Sequence, residues 1–344
     1  MARPTIFDVA EVAGVSIKTV SRVVNHEPNV RESTRERVEN AIAVLKYRPD
    51  KSARNLASQS SHLIGLVYDD PAAYENPSTG YILDLQQGAL KGCRSAHSEL
   101  LIHPCDFRKD DVGVKLKAFI EDTRLSGIIL AAPLSNMAKI VRAIRATGTP
   151  FIRLAPGNGD AKEKSVATND RQVCAKMTRY LAELGHKRIA FIGGDPLHKA
   201  VGHRFTGYKD GLRDSGLEFS ERLVANGNNS FESGLTCTQA LLAQDPRPTA
   251  IFAANDDMAA GALRAATHLG IDVPGQLSIA GFDDTSLARQ IEPPLTTVRQ
   301  PLVSMARQAA EMLAASNGDG EHHEIVPSTI VIRESTGPAP RDDA

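Results

Sequence analysis

Ile17, Lys18, Ser21, Arg22 and Asn25 are spaced so that a helix would gather them on one face. That face would present two cations, a hydroxyl, an amide and a methyl-rich side chain. Such groups suit phosphates and base edges in a DNA major groove: cations hold the backbone, and an arginine pairs bidentately with guanine for about 1–3 kcal/mol of discrimination. A second polar set lies far along the chain, where Asp69, Asp70, Asp195, Asn255, Asp256, Asp283 and Asp284 end β-rich runs. In open α/β sheets ligands lie beyond the carboxyl ends of strands, so a cleft between two sheets is the expected second site.

The first set needs a short helical scaffold. Ile6, Val9, Ala10 and Ala13 recur at helical spacing, Thr5 and Asp8 offer a capping pair, and Gly14 is placed to end the helix. Ser16 then caps a second helix whose Val20, Val23 and Val24 face inward, and Val38, Ala41, Ile42 and Leu45 form the buried stripe of a third. Three small helices around one apolar centre, two of them joined by a tight Gly turn, predict a helix-turn-helix domain. On the pattern alone, a plain helical hairpin with a solvated polar face stays open as the other reading.

The second set needs sheets. "HLIGLVYDD", "ELLIHPCD", "SGIILAAP", "TPFIRLAP", "KRIAFIGGD", "TAIFAAND", "LSIAGFDD" and "STIVIRES" read as strands separated by helical stretches. Such alternation predicts an α/β fold with parallel sheets covered on both faces.

The whole chain sets outer bounds. Its 344 residues, 42% hydrophobic and 24% charged, suit a soluble protein of two or three domains. The net charge of −1 hides a polarity: residues 1–60 carry ten Lys/Arg against seven Asp/Glu, or +3, which leaves −4 for the rest. No apolar run is long enough for a membrane helix, and Asp8 and Glu11 stand where a secretory signal needs its apolar stretch, so a cytoplasmic location is expected. Cys93, Cys105, Cys174 and Cys237 are scattered, without CxxC pairs or nearby His at zinc-ligand spacing; reduced thiols and no metal or cofactor are expected. The chain has no G-x-S-x-G elbow, H-E-x-x-H, P-loop or dinucleotide fingerprint, which argues against an enzyme.

"TIFDVAEVAGVSIKTVSRVVN" followed by "TRERVENAIAVLKYRPDKSARNLAS" closely resembles the head of the lactose-repressor and galactose-repressor family of bacterial regulators, and later blocks extend the resemblance over nearly the full length. It implies a repressor that binds a palindromic double-stranded operator as a homodimer and senses a small molecule, a sugar in the first instance. By that resemblance the second helix is the recognition helix, and Thr5 and Ser16 hold backbone phosphates. Residues 1–48 form the DNA-binding domain, and residues 49–60 form a hinge helix whose Leu56 wedges into the minor groove, with Ala53 allowing close approach. Residues 61–344 form a core shaped like a periplasmic sugar-binding protein, with one subdomain at about 62–168 and 299–328 and the other at about 169–298 and 329–340. The resemblance places Arg204, Asn255 and Asp283 on the effector, with Asp69 and Gln300 on the opposite wall. Arginine donates, carboxylates accept and amides do both, which suits hydroxyls.

There are departures from the family pattern. Arg31 stands where relatives carry a small capping residue, so Ser33 or Thr34 is expected to cap the third helix. Asn229 replaces an aromatic that stacks on the ligand, with Phe231, Tyr74 or Tyr81 as candidate substitutes, and Arg153 falls near a position that is often acidic. The tail "RESTGPAPRDDA" has no leucine heptad, so a dimer is the expected unit. Two alternatives stay open: a purine-type co-repressed regulator, and a ligand-binding protein of the periplasmic sugar-binding class.

Overall fold

The computed structural model describes residues 4–24, 27–47, 62–71, 73, 79–157, 163–315 and 322–341. The chain divides into two units, residues 1–62 and 63–344.

The first unit holds α1 (Ile6–Ala13), α2 (Ile17–Val24) and α3 (Glu32–Leu45). Thr5 and Asp8 form a capping box: Asp8 Oδ2 accepts from the Thr5 N–H at 2.7 Å, and Thr5 Oγ1 accepts from the Asp8 N–H at 3.4 Å. Gly14 ends α1 in the left-handed region at φ 62°, which a residue with a Cβ adopts only under strain. Ser16 Oγ accepts from the Thr19 N–H at 3.2 Å and starts α2. Val9, Ala10, Ala13, Val20, Val23, Val38 and Ala41 close the core, with Ile6, Val24, Ile42 and Leu45 packed against it. The start of α3 differs from expectation: Arg31 is its N-cap without a side-chain cap bond, and Ser33 and Thr34 lie within the helix. An arginine side chain has no acceptor to offer the first-turn N–H groups, and Glu32 supplies the negative charge there instead.

The second unit contains two six-stranded sheets. The first has the order β2 (Glu99–Cys105), β1 (Leu63–Asp69), β3 (Gly127–Leu130), β4 (Phe151–Leu154), β5 (Ser165–Ala167) and β11 (His323–Ile325), all parallel. Along β1, Ile64, Leu66 and Tyr68 face the packed pair α4 (Gly80–Ser95) and α12 (Leu302–Ala314). Val67 faces α5 (Val112–Thr123) and α6 (Ala138–Arg145) on the other side. Period-two alternation of apolar residues thus covers both faces.

The second sheet has the order β7 (Val224–Asn226), β6 (Ile189–Gly193), β8 (Ala250–Ala253), β9 (Ser278–Asp283), β10 (Thr296–Arg299) and β12 (Thr329–Val331). Its helices are α7 (Asp170–Glu183) packed on α8 (Lys199–Asp214) and α9 (Phe231–Leu242) packed on α10 (Asp256–His268), with the short α11 (Leu287–Gln290) leading toward β10. Strand β12 runs antiparallel to β10, unlike the parallel pairing expected throughout. It is entered from β11 of the first sheet and not through a covering helix, so no βαβ crossover dictates its direction.

The chain passes between the sheets after β5, after β10 and after β11. Asn169 and Ser328, on two of these passages, are joined by a 2.8 Å bond from the Ser328 N–H to Asn169 Oδ1. Gly207 lets α8 lie against α7 so closely that a Cβ there would stand 2.3 Å from the Arg171 carbonyl oxygen. That approach brings Arg204 of α8 to Asp170, the first residue of α7. Among the described residues no helix is long and apolar enough to cross a membrane.

Candidate functional site

In the first unit, Ile17, Lys18 and Arg22 are exposed on α2 while Val20 and Val23 on its opposite face are buried. Ser21 is half-buried on the same helix. Arg22 Nε lies 3.5 Å from Glu27 Oε2, and both side chains are nearly half exposed, so the contact holds the guanidinium only weakly. Thr5 Oγ1 donates to Asp8 Oδ2 at 2.8 Å, and Ser16 Oγ bonds Thr19 Oγ1 at 2.9 Å, so both hydroxyls already serve as helix caps. Asn25, Ala53 and Leu56, together with the whole segment 49–60, lie outside the described residues, as does Tyr74.

In the second unit a cavity of ≈ 270 Å³ opens between the carboxyl ends of the two sheets. Asp69, Asp70, Tyr81 and Arg108 line it from the first sheet's side; Asp195, His198, Arg204, Asn229, Asn255, Asp257 and Asp283 line it from the second's. Parallel strands direct these side chains there because each strand ends, and its loop turns, at the same edge.

Arg204 is buried, and its guanidinium is held by the protein. Nε donates to Asp170 Oδ2 at 3.0 Å, Nη1 donates to the Ala254 carbonyl at 2.6 Å and lies 3.9 Å from Asp283 Oδ1, and the guanidinium stacks 3.8 Å over the Phe282 ring. Asp283 has φ 121°, outside the ordinary range for a residue with a side chain. Burial pushes its carboxyl well up, against the pull of Arg204. Gln300 Nε2 donates to Asp283 Oδ1 at 2.5 Å.

Asn255 caps α10: Oδ1 accepts from the Met258 N–H at 3.0 Å and Nδ2 donates to the Asn229 carbonyl at 2.9 Å. Of the two carboxylates that follow, Asp256 is fully buried against Thr285 and Thr297, and burial pushes it up to about 7 although three bonds oppose the shift. Asp257 lines the cavity, with burial pushing its carboxyl up as well.

Across the cavity, Asp69 Oδ1 accepts from the Phe107 N–H at 3.0 Å. Burial pushes Asp69 up to about 6, only partly opposed by that bond and by Arg108. Arg108, three residues beyond β2, reaches over to the second sheet: its Nη2 is 2.8 Å from Asp195 Oδ2, and its Nη1 is 3.9 Å from Asp69 Oδ2. One guanidinium therefore bridges the two walls.

Asp69, Arg204, Asn255 and Asp283 thus converge on one cavity, and Gln300 does not reach its wall. Gln300 is buried beside a second pocket that Arg299, Pro301 and Leu302 also line, and its Nε2 holds Asp283 Oδ1. Of the candidate aromatic substitutes, Tyr81 lines the cavity, whereas Phe231 opens α9 away from it. Arg153 is a structural cation, bonded to the Ser135 carbonyl at 2.7 Å and to Glu163 at 3.0 Å. Sequence reading missed Arg108 and His198. They lie three and five residues past the ends of β2 and β6, beyond the reach of the strand-end signal that marked the aspartates.

Residues 5–50 match the family of bacterial regulatory proteins, lacI family, and residues 178–336 match the periplasmic binding protein-like domain. The HTH-type transcriptional regulator GalR of Escherichia coli (strain K12) is 34% identical over 345 residues, spanning 96% of this chain and 95% of its own length. Among solved structures, a lac repressor dimer bound to operator and the anti-inducer ONPF is similar with a TM-score of 0.83 at 27% identity, covering 98% of this chain and 100% of that one. A complex of the transcriptional regulator CelR with cellobiose gives a TM-score of 0.74 at 27% identity, covering 97% and 100%.

Proposed function

Because the chain belongs to the lacI family of bacterial regulatory proteins, we propose that it represses carbohydrate-utilisation genes: it binds a palindromic operator as a homodimer and leaves it when a sugar fills the cleft. The observation that carries this reading is the pairing, in one chain, of an exposed cationic helix face with a cavity walled by convergent hydrogen-bonding groups. The relatives solved with operator and with cellobiose support it.

In the head, residues 1–48, Arg22 and Lys18 reach base edges and phosphates from α2, with Ile17, Ser21 and Asn25 beside them. Thr5 and Ser16 meet the DNA backbone near the starts of their helices, where N–H groups and the helix dipole favour a phosphate. The hinge, residues 49–60, brings Leu56 to the minor groove at the centre of the palindrome, with Ala53 allowing the approach. In the core, residues 61–344, the Arg204 guanidinium is held in place by Asp170 and Ala254, Asp69 and Asp257 accept from ligand hydroxyls, and Gln300 keeps Asp283 turned toward the cavity. The sugar shifts operator affinity to the extent that it binds one arrangement of the two sheets better than the other. This work on DNA is cytoplasmic and assigns no reaction to the chain.

The test is retention of genomic fragments by the purified protein at one fixed salt concentration, repeated with mono- and disaccharides, glycosides and purines. A palindromic fragment that is retained without ligand and released by one sugar is the expected result. Retention only in the presence of a ligand would make the protein co-repressed, and no retention under any condition would refute the DNA-binding reading.

A further inference from the structure

The charges on the cavity wall go beyond naming a sugar. Five aspartates line the cavity among the described residues: Asp69, Asp70, Asp195, Asp257 and Asp283, the last of them pushed toward its neutral form by burial. The guanidiniums facing them are those of Arg108 and Arg204, and both are committed. Arg204 is held by Asp170 at 3.0 Å and by the Ala254 carbonyl at 2.6 Å, and Asp283 stands 3.9 Å away. Arg108 is held by Asp195 at 2.8 Å with Asp69 at 3.9 Å. His198 adds no charge at neutral pH, since burial pushes its imidazole down to about 4.

An anion entering this cavity meets two cations whose charge is already balanced, Arg108 by Asp195 and Arg204 by Asp170, and it adds to the surplus of negative charge on the walls. If it displaced Asp195 from Arg108, it would leave a carboxylate unpaired within the same cavity. A neutral polyol meets acceptors for its hydroxyls, and an ammonium meets carboxylates in a partly desolvated space where opposite charges attract more strongly than in water.

From the disposition of these charges, and resting on the sugar-effector reading above, we infer that the cleft takes uncharged or basic sugars and rejects their acidic counterparts, uronates and sugar phosphates alike. Asp257, the second residue of α10 and half-buried on the wall, is the carboxylate with most influence over that choice. It lies outside the pairs that hold Arg108 and Arg204.

The test is calorimetric titration of the full chain at pH 7.5 and fixed ionic strength with sugars matched in ring and differing in charge. Glucose, glucosamine, glucuronate and glucose 6-phosphate form one series; galactose, galactosamine and galacturonate form another; cellobiose and cellobiouronate form a third. The expected result is that, in the series that binds, the neutral or amino member binds at least tenfold tighter than the acidic one. Asp257→Asn should narrow that gap, and Asp257→Lys should raise affinity for the acidic member at least threefold. An acidic member that binds as tightly as its neutral parent, or any smaller gap than tenfold, overturns the inference and leaves the sugar reading standing. Silence across all three series, in a protein that still retains its DNA fragment, counts against the sugar reading itself and removes the inference with it.

Discussion

Replacing Arg204 by methionine keeps an unbranched apolar stem and removes the charged head. The guanidinium sits between two buried carboxylates, and the side chains of both Arg204 and Asp170 are less than a tenth exposed, so water cannot replace the lost partner. Asp283 absorbs part of the change, because its carboxyl is already pushed up toward the neutral form. Asp170 Oδ2 and the Ala254 carbonyl lose the donors that Arg204 supplies, and Asp170 keeps only the Thr168 hydroxyl on its other oxygen. Removing one partner of a buried, hydrogen-bonded ion pair costs about 3–5 kcal/mol, most of it the penalty of the orphaned charge. For a unit of this size that corresponds to a fall in Tm of roughly 6–20 °C. Urea unfolding of the full chain, followed by far-ultraviolet circular dichroism, reads the transition of the second unit. Adding Asp170→Asn to Arg204→Met should recover more than half of the loss, since the second change removes the orphaned charge. A loss below about 1 kcal/mol, or a double variant no more stable than the single one, would refute the reasoning that the pair acts as a buried unit.

In the head, Arg22→Ala should weaken binding to the retained fragment by about 5–150-fold in a gel-shift titration, with thermal stability nearly unchanged because its pair with Glu27 is solvent-exposed. In the cleft, Asp69 titrates near 6, and a ligand that donates to the ionised carboxylate should bind progressively more weakly below that pH. The loss is at most about tenfold per pH unit in calorimetry between pH 8 and 5, and Asp69→Asn should flatten the profile. His186 is held neutral between Thr249, Ser278 and the Gly337 carbonyl, and its pKa is lowered by burial. At this site the unfolded chain therefore takes up more protons than the fold below about 6.5, so the share of stability that His186 contributes should fall as pH drops through that value, by up to about 1.4 kcal/mol per pH unit, against the opposite trend of the raised carboxyls of Asp69 and Asp256. His198 acts in the same direction as His186 down to about 4, and the urea midpoint of the unsubstituted chain should fall relative to that of His186→Gln when pH 7.5, 6.5 and 5.5 are compared.

The features most legible in the sequence were those in which one residue type does a local job. Thr5 with Asp8, Gly14 and Ser16 each announce a helix boundary, because capping chemistry is confined to a few side chains and a fixed offset. Long apolar strands such as β6 and β9 were equally plain. Strands β5, β7 and β11 were not, because three residues are too few to show an alternation, and β10 was hidden for a related reason: its "TTVR" carries two threonines that are buried but polar. The cavity lining was legible where a polar residue ends a strand or follows within two residues, as at Asp69, Asp283 and Asn255. It was not legible where the chain travels further before turning back, as at Arg108 and His198. Gln300 lies one shell away, since the passage between sheets places its amide on the Asp283 carboxyl and Asp283 lines the cavity.

The bridge from Arg108 to Asp195 also ties the cavity to its solvent. It joins the two walls at the cavity, yet the Arg108 side chain is 51% exposed, so mobile ions reach it and screen it. Such a contact contributes no more than about 1 kcal/mol, roughly a fivefold factor. Any arrangement in which the walls stand further apart gives that contribution up, and dissolved salt lowers it directly. The balance between wall spacings is thereby a property of the surrounding electrolyte as well as of what the cavity holds.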